Sequence, residues 1–543
     1  MSRPRFRISR GRLYSVMGLM TITSLILMAC YIAVRLTTIP FDSTNSPADR
    51  VVGFCLLWAE LFLCLHGVGY FTSVLKAARR ERRGTPWLFA RPATAPVAVI
   101  IAAFNESEDV LAETIGSALA MDYPHFTIYL LDDSTKPEAR AGVDRLARDF
   151  GLKLIRRENR KGYKAGAIND MLPSIPEKYV ALLDADQRPL TTWLRDIVPL
   201  LEENPKLAFV QVPQIYVNGA GLPVATAAAY QQAVFFEYIC EGKSDSNAMF
   251  CCGSNVVIRR EALMSVETIV EGRRHFFDET SVTEDFATTV RMHAKGWRTS
   301  YVNRKYVVGM GPETLPAYFT QQMRWAMGTL GVGLRVLRQL FTNPRMLTAG
   351  QWWEYLLSGS YYFVGFASLI FMMAPVLFVG FDVRPMRSEE GLYLVFFIPY
   401  IVFTMNLFFF GMALRNYSLK GVWLASALSF ATFRTYMMAG IVALFGLKRA
   451  FGVTPKGVGG AIPLIKLWPE LLLLGANLAT ASFGCYWMLR YGLELAYGIN
   501  TLWATYHSIL LSTLFLHFNR PVVIAERQQL FAASSDAASR EAA

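Results

Sequence analysis

Three acidic motifs and one basic-aromatic motif follow one another in the middle of the chain. They are Asp132-Asp133-Ser134, Asp184-Ala185-Asp186, Thr283-Glu284-Asp285 and Gln321-Gln322-Met323-Arg324-Trp325. An Asp-x-Asp at a strand end presents carboxylates to a hard divalent cation, Mg²⁺ or Mn²⁺, which can bridge a diphosphate on a departing nucleotide. We therefore expect Asp184 and Asp186 to serve a metal and a diphosphate, although an isolated Asp-x-Asp is more often a solvated loop.

The third motif contains a candidate general base. Asp285 could take a proton from an acceptor hydroxyl, and a single base opposite the leaving group implies direct displacement with inversion at a sugar carbon. A glycosidase would use a pair of carboxylates, and no such pair can be identified in the sequence. The alternative is structural, because Thr283 is also suited to cap a helix that begins after it.

Three further side chains are candidates for contacts with donor or acceptor. Arg324 offers a planar fork for phosphate oxygens, and Trp325 offers an apolar face on which a sugar ring can stack. The structural alternative for this pair is a core tryptophan beside a surface arginine. Lys164 lies between glycines that allow close approach to nucleotide phosphates, but the spacing is not that of a P-loop.

Buried strands precede the acidic motifs and must position them. Residues 97–102, 127–131 and 179–183 are continuous apolar runs, and the second and third run directly into acidic residues. Such runs are typical of strands buried on both faces, and helical stretches join them. The sequence therefore predicts an open α/β sheet that binds its ligand at the carboxyl edge of the strands.

Composition places this domain in a membrane protein. The 543 residues are 53% hydrophobic and carry a net charge of +12. This hydrophobic content excludes a purely soluble protein, and the basic residues cluster at the ends of apolar segments, which favours contact with anionic lipid over nucleic acid. The seven cysteines are scattered and odd in number, so we expect neither a disulfide framework nor a zinc site.

Seven apolar segments are long enough to span a bilayer. They cover residues 13–34, 51–75, 358–380, 391–414, 422–447, 468–489 and 498–516. Basic residues precede the first segment and follow the second, so the positive-inside rule places the N-terminus and residues 76–345 in the cytosol. Arg434 would be costly in the middle of a span, so we interpret 422–447 as an interfacial helix. This leaves six spans, with both termini cytosolic.

A second surface segment lies at the end of the cytosolic domain. Residues 330–341 carry apolar side chains at helical spacing opposite Arg335 and Arg338, which suits an amphipathic helix at the membrane surface. A helix packed against its own domain would show the same pattern. The polar, alanine-rich tail at 521–543 is typical of disorder.

The order of these motifs resembles that of the processive family-2 glycosyltransferases, within them the cellulose synthase group of β-glucan synthases. The resemblance runs from about residue 97 to residue 516. Residues 242–247 leading into 250–254 look like the family's acceptor-site segment. Gln321, Arg324 and Trp325 match its five-residue signature, and residues 451–457 look like its gating loop.

The resemblance implies a GT-A-type cytosolic domain (76–345) inserted between two N-terminal spans (1–75) and a four-span channel region (346–520) with a gating loop at 450–460. It implies Mg²⁺ or Mn²⁺ held by Asp186 and Asp184, and Asp285 as the base. The implied contacts to the nucleotide sugar come from Asp132, Asp133, Lys164, Asp184, Gln321, Arg324 and Thr454. Those to the acceptor come from Trp325, Glu284 and Cys252.

The resemblance also implies substrates and surroundings. We expect UDP-glucose as donor, a growing β-glucan as acceptor, a bacterial inner membrane and accessory export subunits. Ser134, Cys251 and Gln214 depart from the usual family residues, and a C-terminal cyclic-di-GMP-binding domain is not recognisable. β-1,4, curdlan-type β-1,3 and mixed linkages therefore stay open. So do a UDP-N-acetylglucosamine or GDP-sugar donor, and a single transfer to a lipid-linked acceptor.

Overall fold

A mixed sheet forms the centre of the α/β domain. The computed structural model describes residues 10–37, 45–83, 92–219, 221–385, 390–447 and 460–521. The strands are β1 (Val97–Ala103), β2 (Phe126–Asp132), β3 (Lys153–Ile155), β4 (Tyr179–Asp184), β5 (Arg188–Pro189), β6 (Leu207–Gln211), β7 (Ile215–Tyr216), β8 (Val256–Arg259), β9 (Thr268–Val270), β10 (Arg273–His275), β11 (Arg298–Tyr301) and β12 (Val307–Gly309). The main sheet has the order β11-β6-β8-β4-β1-β2-β3.

The three strands predicted from the sequence are adjacent in this sheet. β1 lies between β2 and β4 and runs parallel to both, whereas β8 is antiparallel to β4 and β6. The register pairs Ala103 of β1 with Asp132, and Ala102 with Asp184. Because the strands are parallel, their carboxyl ends meet at one edge, and the first two acidic motifs lie there together, as the sequence predicted.

The apolar strand runs form the core on both faces of the sheet. The side chains of β1 from Val97 to Ile101 are at most 1% exposed. Alternate residues of β1 join two different clusters, one packed under Trp193 and Leu194 and the other under Ile168 and Phe276. A strand covered on both faces needs no polar face, which is why its sequence is continuously apolar.

Helices surround the sheet and continue into the membrane region. Those of the α/β domain are α3 (Glu108–Leu119), α4 (Pro137–Asp149), α5 (Tyr163–Met171), α6 (Trp193–Glu203), α7 (Pro223–Val234), α8 (Cys240–Asp245), α9 (Arg260–Ser265), α10 (Glu284–Ala294) and α11 (Leu315–Thr342). The remaining helices are α1 (Arg10–Thr37), α2 (Pro47–Arg83), α12 (Ala349–Ser360), α13 (Val364–Phe381), α14 (Glu390–Leu414), α15 (Leu419–Ala431), α16 (Phe433–Leu444), α17 (Trp468–Tyr491) and α18 (Leu495–Thr513).

Five helical segments in the described part of the chain are long and apolar enough to cross a membrane. They are Gly11–Leu36, Pro47–Glu81, Ala349–Phe381, Leu394–Leu414 and Leu464–Tyr491. The pair formed by α15 and α16 would add a sixth if it were one span, but it is bent by 45° at its break. The sequence analysis had reached six spans by counting the segment at 498–516 and leaving out the segment at 422–447.

α18, which covers most of that last segment, does not meet the same measure of apolarity. It packs along α17, and Thr501, His507 and Ser508 are buried within the described structure. Side chains that a sequence scan counts as polar are thus turned towards protein. α18 therefore differs from the other segments in composition although it is a continuous helix.

The arginine that argued against a span at 422–447 lies at the start of α16, directly after the bend. Its Nε is 2.8 Å from Glu470 Oε1 on α17, and its Nη1 donates to the carbonyl of Lys466 at 3.1 Å. Glu470 is 1% exposed. Arg434 is thus paired with a buried carboxylate, which offsets the cost of placing it between apolar helices.

The predicted surface helix at 330–341 is the second half of α11. Leu330 is buried against α16, whereas Leu337 and Phe341 are 42% and 79% exposed. Arg335 forms an ion pair with Asp278 at 3.3 Å. One face of the helix therefore packs on the protein, and the apolar side chains of its last turns remain open.

Candidate functional site

One cavity of about 1390 Å³ joins the carboxyl edge of the sheet to the membrane helices. It brings together most of the side chains predicted from the motifs. Those that line it are Asp133, Lys164, Asp184, Asp186, Cys252, Glu284, Asp285, Gln321, Arg324 and Trp325. Asp132 is not part of the lining, and Thr454 with the rest of 448–459 lies outside the described residues.

Lys164 stands in the first turn of α5 and reaches across the site. Its Nζ donates to Asp184 Oδ1 and, at 2.8 Å, to the carbonyl of Gly253. Burial has the largest single effect and lowers the pKa of Lys164, but the charge and hydrogen bond of Asp184, together with the charges of Glu284 and Asp285, raise this pKa above its ordinary value. Lys164 therefore stays cationic and partly neutralises the strand-end carboxylates.

The two carboxylates of the first motif have different surroundings. Asp132 is buried and accepts from Arg156 Nε at 2.7 Å and from the Ser134 N–H at 2.9 Å. Asp133 faces the cavity and accepts hydrogen bonds from Nε and Nη2 of Arg157, at 2.9 and 2.6 Å. Asp132 thus fixes the loop that presents Asp133, and the two arginines are partners that the sequence analysis missed.

Asp285 lies at the start of α10 beside a close backbone approach. Its Oδ1 accepts from the Phe286 N–H at 2.7 Å. Burial and the neighbouring charge of Glu284 raise the pKa of Asp285 to about 8. The pKa of Glu284 is also raised by burial. With a pKa of about 8, Asp285 can hold or take a proton near neutral pH, which is the property a general base needs.

Thr283 occupies the N-cap position of α10 without capping it. Thr283 directly precedes the first helical residue, but its side chain accepts no hydrogen bond from a backbone N–H of the first turn. Instead the methyl and hydroxyl lie close to Gly328 of α11, where a Cβ would meet the Thr283 side chain at 2.5 Å. The purely structural interpretation of this motif therefore lacks its expected hydrogen bond.

The segment around Cys252 is held by two glutamines. The Cys252 N–H donates to Gln211 Oε1 at 2.9 Å, and Gln214 Nε2 donates to the Cys252 carbonyl at 3.3 Å. The Cys251 N–H donates to Thr289 on the helix of Asp285 at 3.0 Å. All seven cysteines are free, and burial raises the pKa of the Cys252 thiol well above its ordinary value. Cys252 therefore acts here as a packed thiol.

α11 carries the last motif along the cavity wall. Gln321 Nε2 is 3.5 Å from the hydroxyl of Tyr216, which also accepts from Gln232 Nε2 at 2.6 Å. Gln322 also contributes to the cavity lining and accepts a hydrogen bond from the hydroxyl of Tyr436 at 2.9 Å. The motif thus points Gln321, Arg324 and Trp325 inwards. Only its helical spacing could have signalled this, and no sequence pattern marked Tyr216.

The sequence analysis did not single out two other residues of the cavity, Phe104 after β1 and Arg160 before α5. The guanidinium of Arg160 lies 3.7 Å from the ring centroid of Phe104, and both residues line the cavity with Glu106. A flat cation against an aromatic face leaves the outer faces of both groups suited to a planar ligand. An arginine after an acidic motif and an aromatic after a strand are too common to have been singled out.

The upper part of the cavity is lined by the membrane helices. Its side chains combine aromatic rings with small hydroxyls, and they include Tyr361, Ser368, Phe371, Phe408, Ser426 and Ser429. Aromatic faces stack on sugar rings and hydroxyls exchange hydrogen bonds with them. The wall is therefore suited to a carbohydrate and not to bare hydrocarbon.

The donor set fits a metal that shares its ligands with a substrate. Among the described residues no group of three or more His, Cys, Asp or Glu side chains is arranged to hold an ion. Asp184 and Asp186 supply hard oxygen donors at the end of β4. Mg²⁺ is commonly bound by one or two carboxylates together with phosphate oxygens and water, so two carboxylates fit such a site.

Comparison with known families agrees with the motifs. Residues 93–328 match the family described as glycosyltransferase-like family 2, and residues 272–461 match the family described as cellulose synthase. The two matches overlap and together cover the α/β domain and the first helices after it. They identify the domain as a GT-A-type glycosyltransferase fold.

Named relatives point to the same group. The chain is 27% identical over 518 residues to the UDP-forming cellulose synthase catalytic subunit of Pseudomonas fluorescens (strain SBW25), with 91% of this chain and 65% of that protein covered. It is 26% identical to cellulose synthase 2 of Novacetimonas hansenii, with 88% and 30% covered. The chain thus spans less than two thirds of the length of these relatives.

Among solved structures, a mannosyltransferase from Pyrobaculum calidifontis in complex with GDP-Man and Mn²⁺ aligns with a TM-score of 0.45 and 16% identity. The alignment covers 72% of this chain and 99% of that one. A likeness this distant says nothing about the donor or metal of the present chain.

Proposed function

We propose that the chain, whose residues 93–328 and 272–461 match the glycosyltransferase-like family 2 and cellulose synthase models, polymerises glucose from UDP-glucose into a β-glucan and passes it through the membrane. The observation that carries the proposal is the single cavity that runs from Asp285 and Trp325 to Tyr361, Phe371 and Phe408 among the membrane helices. A polymerase needs its acceptor site to open directly into the path by which the product leaves.

The proposed reaction is a single inverting displacement. The hydroxyl of the terminal acceptor sugar attacks the anomeric carbon of the donor, and the bond from that carbon to the UDP oxygen breaks. Asp285 takes the hydroxyl proton, so the products are a glucan longer by one sugar, UDP and a protonated Asp285. The raised pKa of Asp285 makes its carboxylate a stronger base than an exposed aspartate.

The donor would be held by charge and by flat surfaces. Lys164 and Arg324 line the same cavity and supply cationic donors for the diphosphate. The outer face of the stacked Phe104 and Arg160 offers a planar surface for the base, and Asp133 lines the same cavity. Asp184 and Asp186 would hold Mg²⁺ or Mn²⁺, which when bound supplies charge neutralisation to the diphosphate.

The acceptor would lie beside Trp325. Trp325 supports the terminal sugar, with Glu284 and Cys252 near its hydroxyls, and the aromatic side chains of the upper cavity support the sugars already added. Trp325→Ala should therefore shorten the product more than it weakens the binding of UDP. A variant with normal product length and weakened UDP binding would contradict this role.

We further propose the setting of the reaction. The chain would be a multi-pass protein of the bacterial inner membrane, with its catalytic domain and both termini in the cytosol, where UDP-glucose is made. Accessory export subunits would receive the polymer. The support is the set of five to six membrane-type helices and the names of the relatives.

The test uses inverted membrane vesicles that contain the protein and Mg²⁺. Labelled UDP-glucose, UDP-N-acetylglucosamine and GDP-mannose are supplied in parallel, and any insoluble product is digested with linkage-specific glucanases. Polymer from UDP-glucose supports the proposal and identifies the linkage. Polymer from another donor alone, or label in a lipid with one sugar added, would assign the chain to a different transferase.

A further inference from the structure

A short helical segment lies between the catalytic site and the membrane helices. It continues α7 without a break through a π-helical turn, Phe235–Ile239, into α8. Phe235, Phe236 and Ile239 line the cavity, and the ring of Phe235 lies 5.9 Å from that of Phe250 in the Cys252 segment. We call residues 235–245 the acceptor helix. Single π-turns inside helices occur often at functional sites.

One side of the acceptor helix is bound to an arginine at the end of α14. Arg415 Nη2 lies 3.3 Å from Glu241 Oε2, and its Nη1 lies 3.6 Å from Glu237 Oε2. The amide of Asn303 donates to both carboxylates, at 2.7 Å each. Arg415 also approaches Glu81 at the end of α2, at 3.8 Å. We call this group the arginine clamp.

The other side is bound to α12. Lys243 Nζ lies 3.2 Å from Glu354 Oε2 and donates to Ser358 Oγ at 2.7 Å. Both charged side chains are at most 4% exposed. Lys76 of α2 approaches the second oxygen of Glu354 at 3.2 Å. We call this group the lysine clamp.

Between the clamps the acceptor helix touches α2 directly. A Cβ on Gly242 would come within 2.7 Å of the Ser73 backbone, so no side chain fits there. The helix is therefore held at Glu241, Gly242 and Lys243, three consecutive residues, by helices that belong to the membrane region. Buried charge pairs cost much desolvation and add little net stability, but their geometry specifies one position.

We propose that the arginine and lysine clamps are positioning devices that keep the acceptor helix, and with it the end of the growing polymer, in line with the membrane part of the cavity. This rests on the proposed polymerase function. Arg415 and Glu241 lie outside the cavity lining and are positioning residues that act through Phe235, Phe236 and Ile239, whereas Lys243 and Glu354 also line the cavity. The clamps determine how many sugars are added before the polymer is released.

The lysine clamp gives the cleaner test, because both partners can be removed together. Lys243→Met leaves Glu354 short of a partner, whereas Lys243→Met with Glu354→Gln removes both buried charges and should restore thermal stability. We expect both variants to make polymer roughly tenfold shorter, which corresponds to a tenfold change in release relative to addition. Their KM for the donor should stay within about twofold of wild type, because neither substitution changes the strand-end groups proposed to hold the nucleotide sugar.

Two controls separate positioning from folding. Arg384→Gln removes an exposed ion pair with Asp382 and should change neither product length nor rate. Glu241→Gln should shorten the product as Lys243→Met does, because it weakens the opposite clamp. If product length returns to normal in the double variant together with its stability, or if UDP release and polymer yield fall in parallel at unchanged length, the proposal is overturned.

The polymerase function and the clamps can fail separately. A wild-type enzyme that uses another donor would refute UDP-glucose as substrate, and the variants would then be measured with that donor. A wild-type enzyme that adds only one sugar would refute both, since product length would have no meaning. Normal wild-type polymer with full-length product from every clamp variant would refute the clamps alone.

Discussion

Gly253 and Asp285 lie so close that a Cβ on Gly253 would be 2.9 Å from Asp285 Oδ2. Gly253 also has a φ of +79°, which side-chain-bearing residues seldom adopt, and its carbonyl accepts from Lys164. The proposed base Asp285, Lys164 and the segment of Cys252 thus meet at a single glycine.

Gly253→Ala is therefore expected to abolish transfer, because the added methyl must displace the Asp285 carboxylate. Gly272→Ala is a matched control, since Gly272 has a φ of +76° and open space around its Cβ position. Both substitutions should cost about 1 kcal/mol of stability for the backbone conformation. Only the first should remove polymer synthesis, measured in vesicles beside thermal unfolding in detergent. Equal activity of the two variants would show that the contact has no role.

The raised pKa of Asp285 predicts the pH dependence of the enzyme. The base must be ionised, so kcat/KM should rise with pH and reach half of its maximum at a pH of about 8. Asp285→Asn should be inactive at every pH while it still binds UDP. Loss of UDP binding in a well-folded Asp285→Asn protein would refute its assignment as the base.

Glu284→Gln tests the cause of that raised pKa. Removing a neighbouring negative charge makes Asp285 easier to ionise, so the acid limb of kcat/KM should move to lower pH. Glu271→Gln removes an exposed carboxylate that pairs with Lys161 and should leave the profile in place. A profile that does not move in Glu284→Gln would mean that burial alone determines the pKa of Asp285.

Lys164→Gln should weaken donor binding. The variant loses the cation beside Asp184, so the KM for the nucleotide sugar should rise by about tenfold or more, or roughly 1.4 kcal/mol. Lys161→Gln is the control, because the Lys161 side chain is 55% exposed, pairs with Glu271 and does not line the cavity. Unequal effects on donor KM, measured at saturating acceptor, support the role. Equal effects would indicate a general loss of positive charge.

Asp132→Asn and Asp133→Asn should separate a folding role from a binding role. Asp132 is buried on Arg156, so its substitution should cost about 1.5–3 kcal/mol of stability and leave UDP affinity almost unchanged. Asp133 faces the cavity, so its substitution should weaken UDP binding in calorimetry. Equal losses of UDP affinity in both variants would return Asp132 to the list of nucleotide contacts.

The sequence by itself determined the class of chemistry. Continuous apolar runs before Asp132 and Asp184 require strands buried on both faces, and parallel strands must present their carboxyl ends at one edge. The order of the acidic motifs and Arg324-Trp325 was enough to expect a glycosyltransferase. Long apolar runs also located five of the membrane-type helices, because a span is a local property of some 20 residues, whereas the predicted span at 498–516 is not among the helices that are apolar enough to cross a membrane.

The tertiary structure decided which of these residues line the cavity. It turned Asp132 away from the cavity and Asp133 into it, although the two are neighbours in sequence, because successive side chains at a strand end point in opposite directions. It paired Arg434 with Glu470 and buried His507 of α18, contacts that no local scan can foresee. Contacts between residues far apart in the chain arise only when helices and sheet pack, and the clamps around residues 235–245 belong to that class.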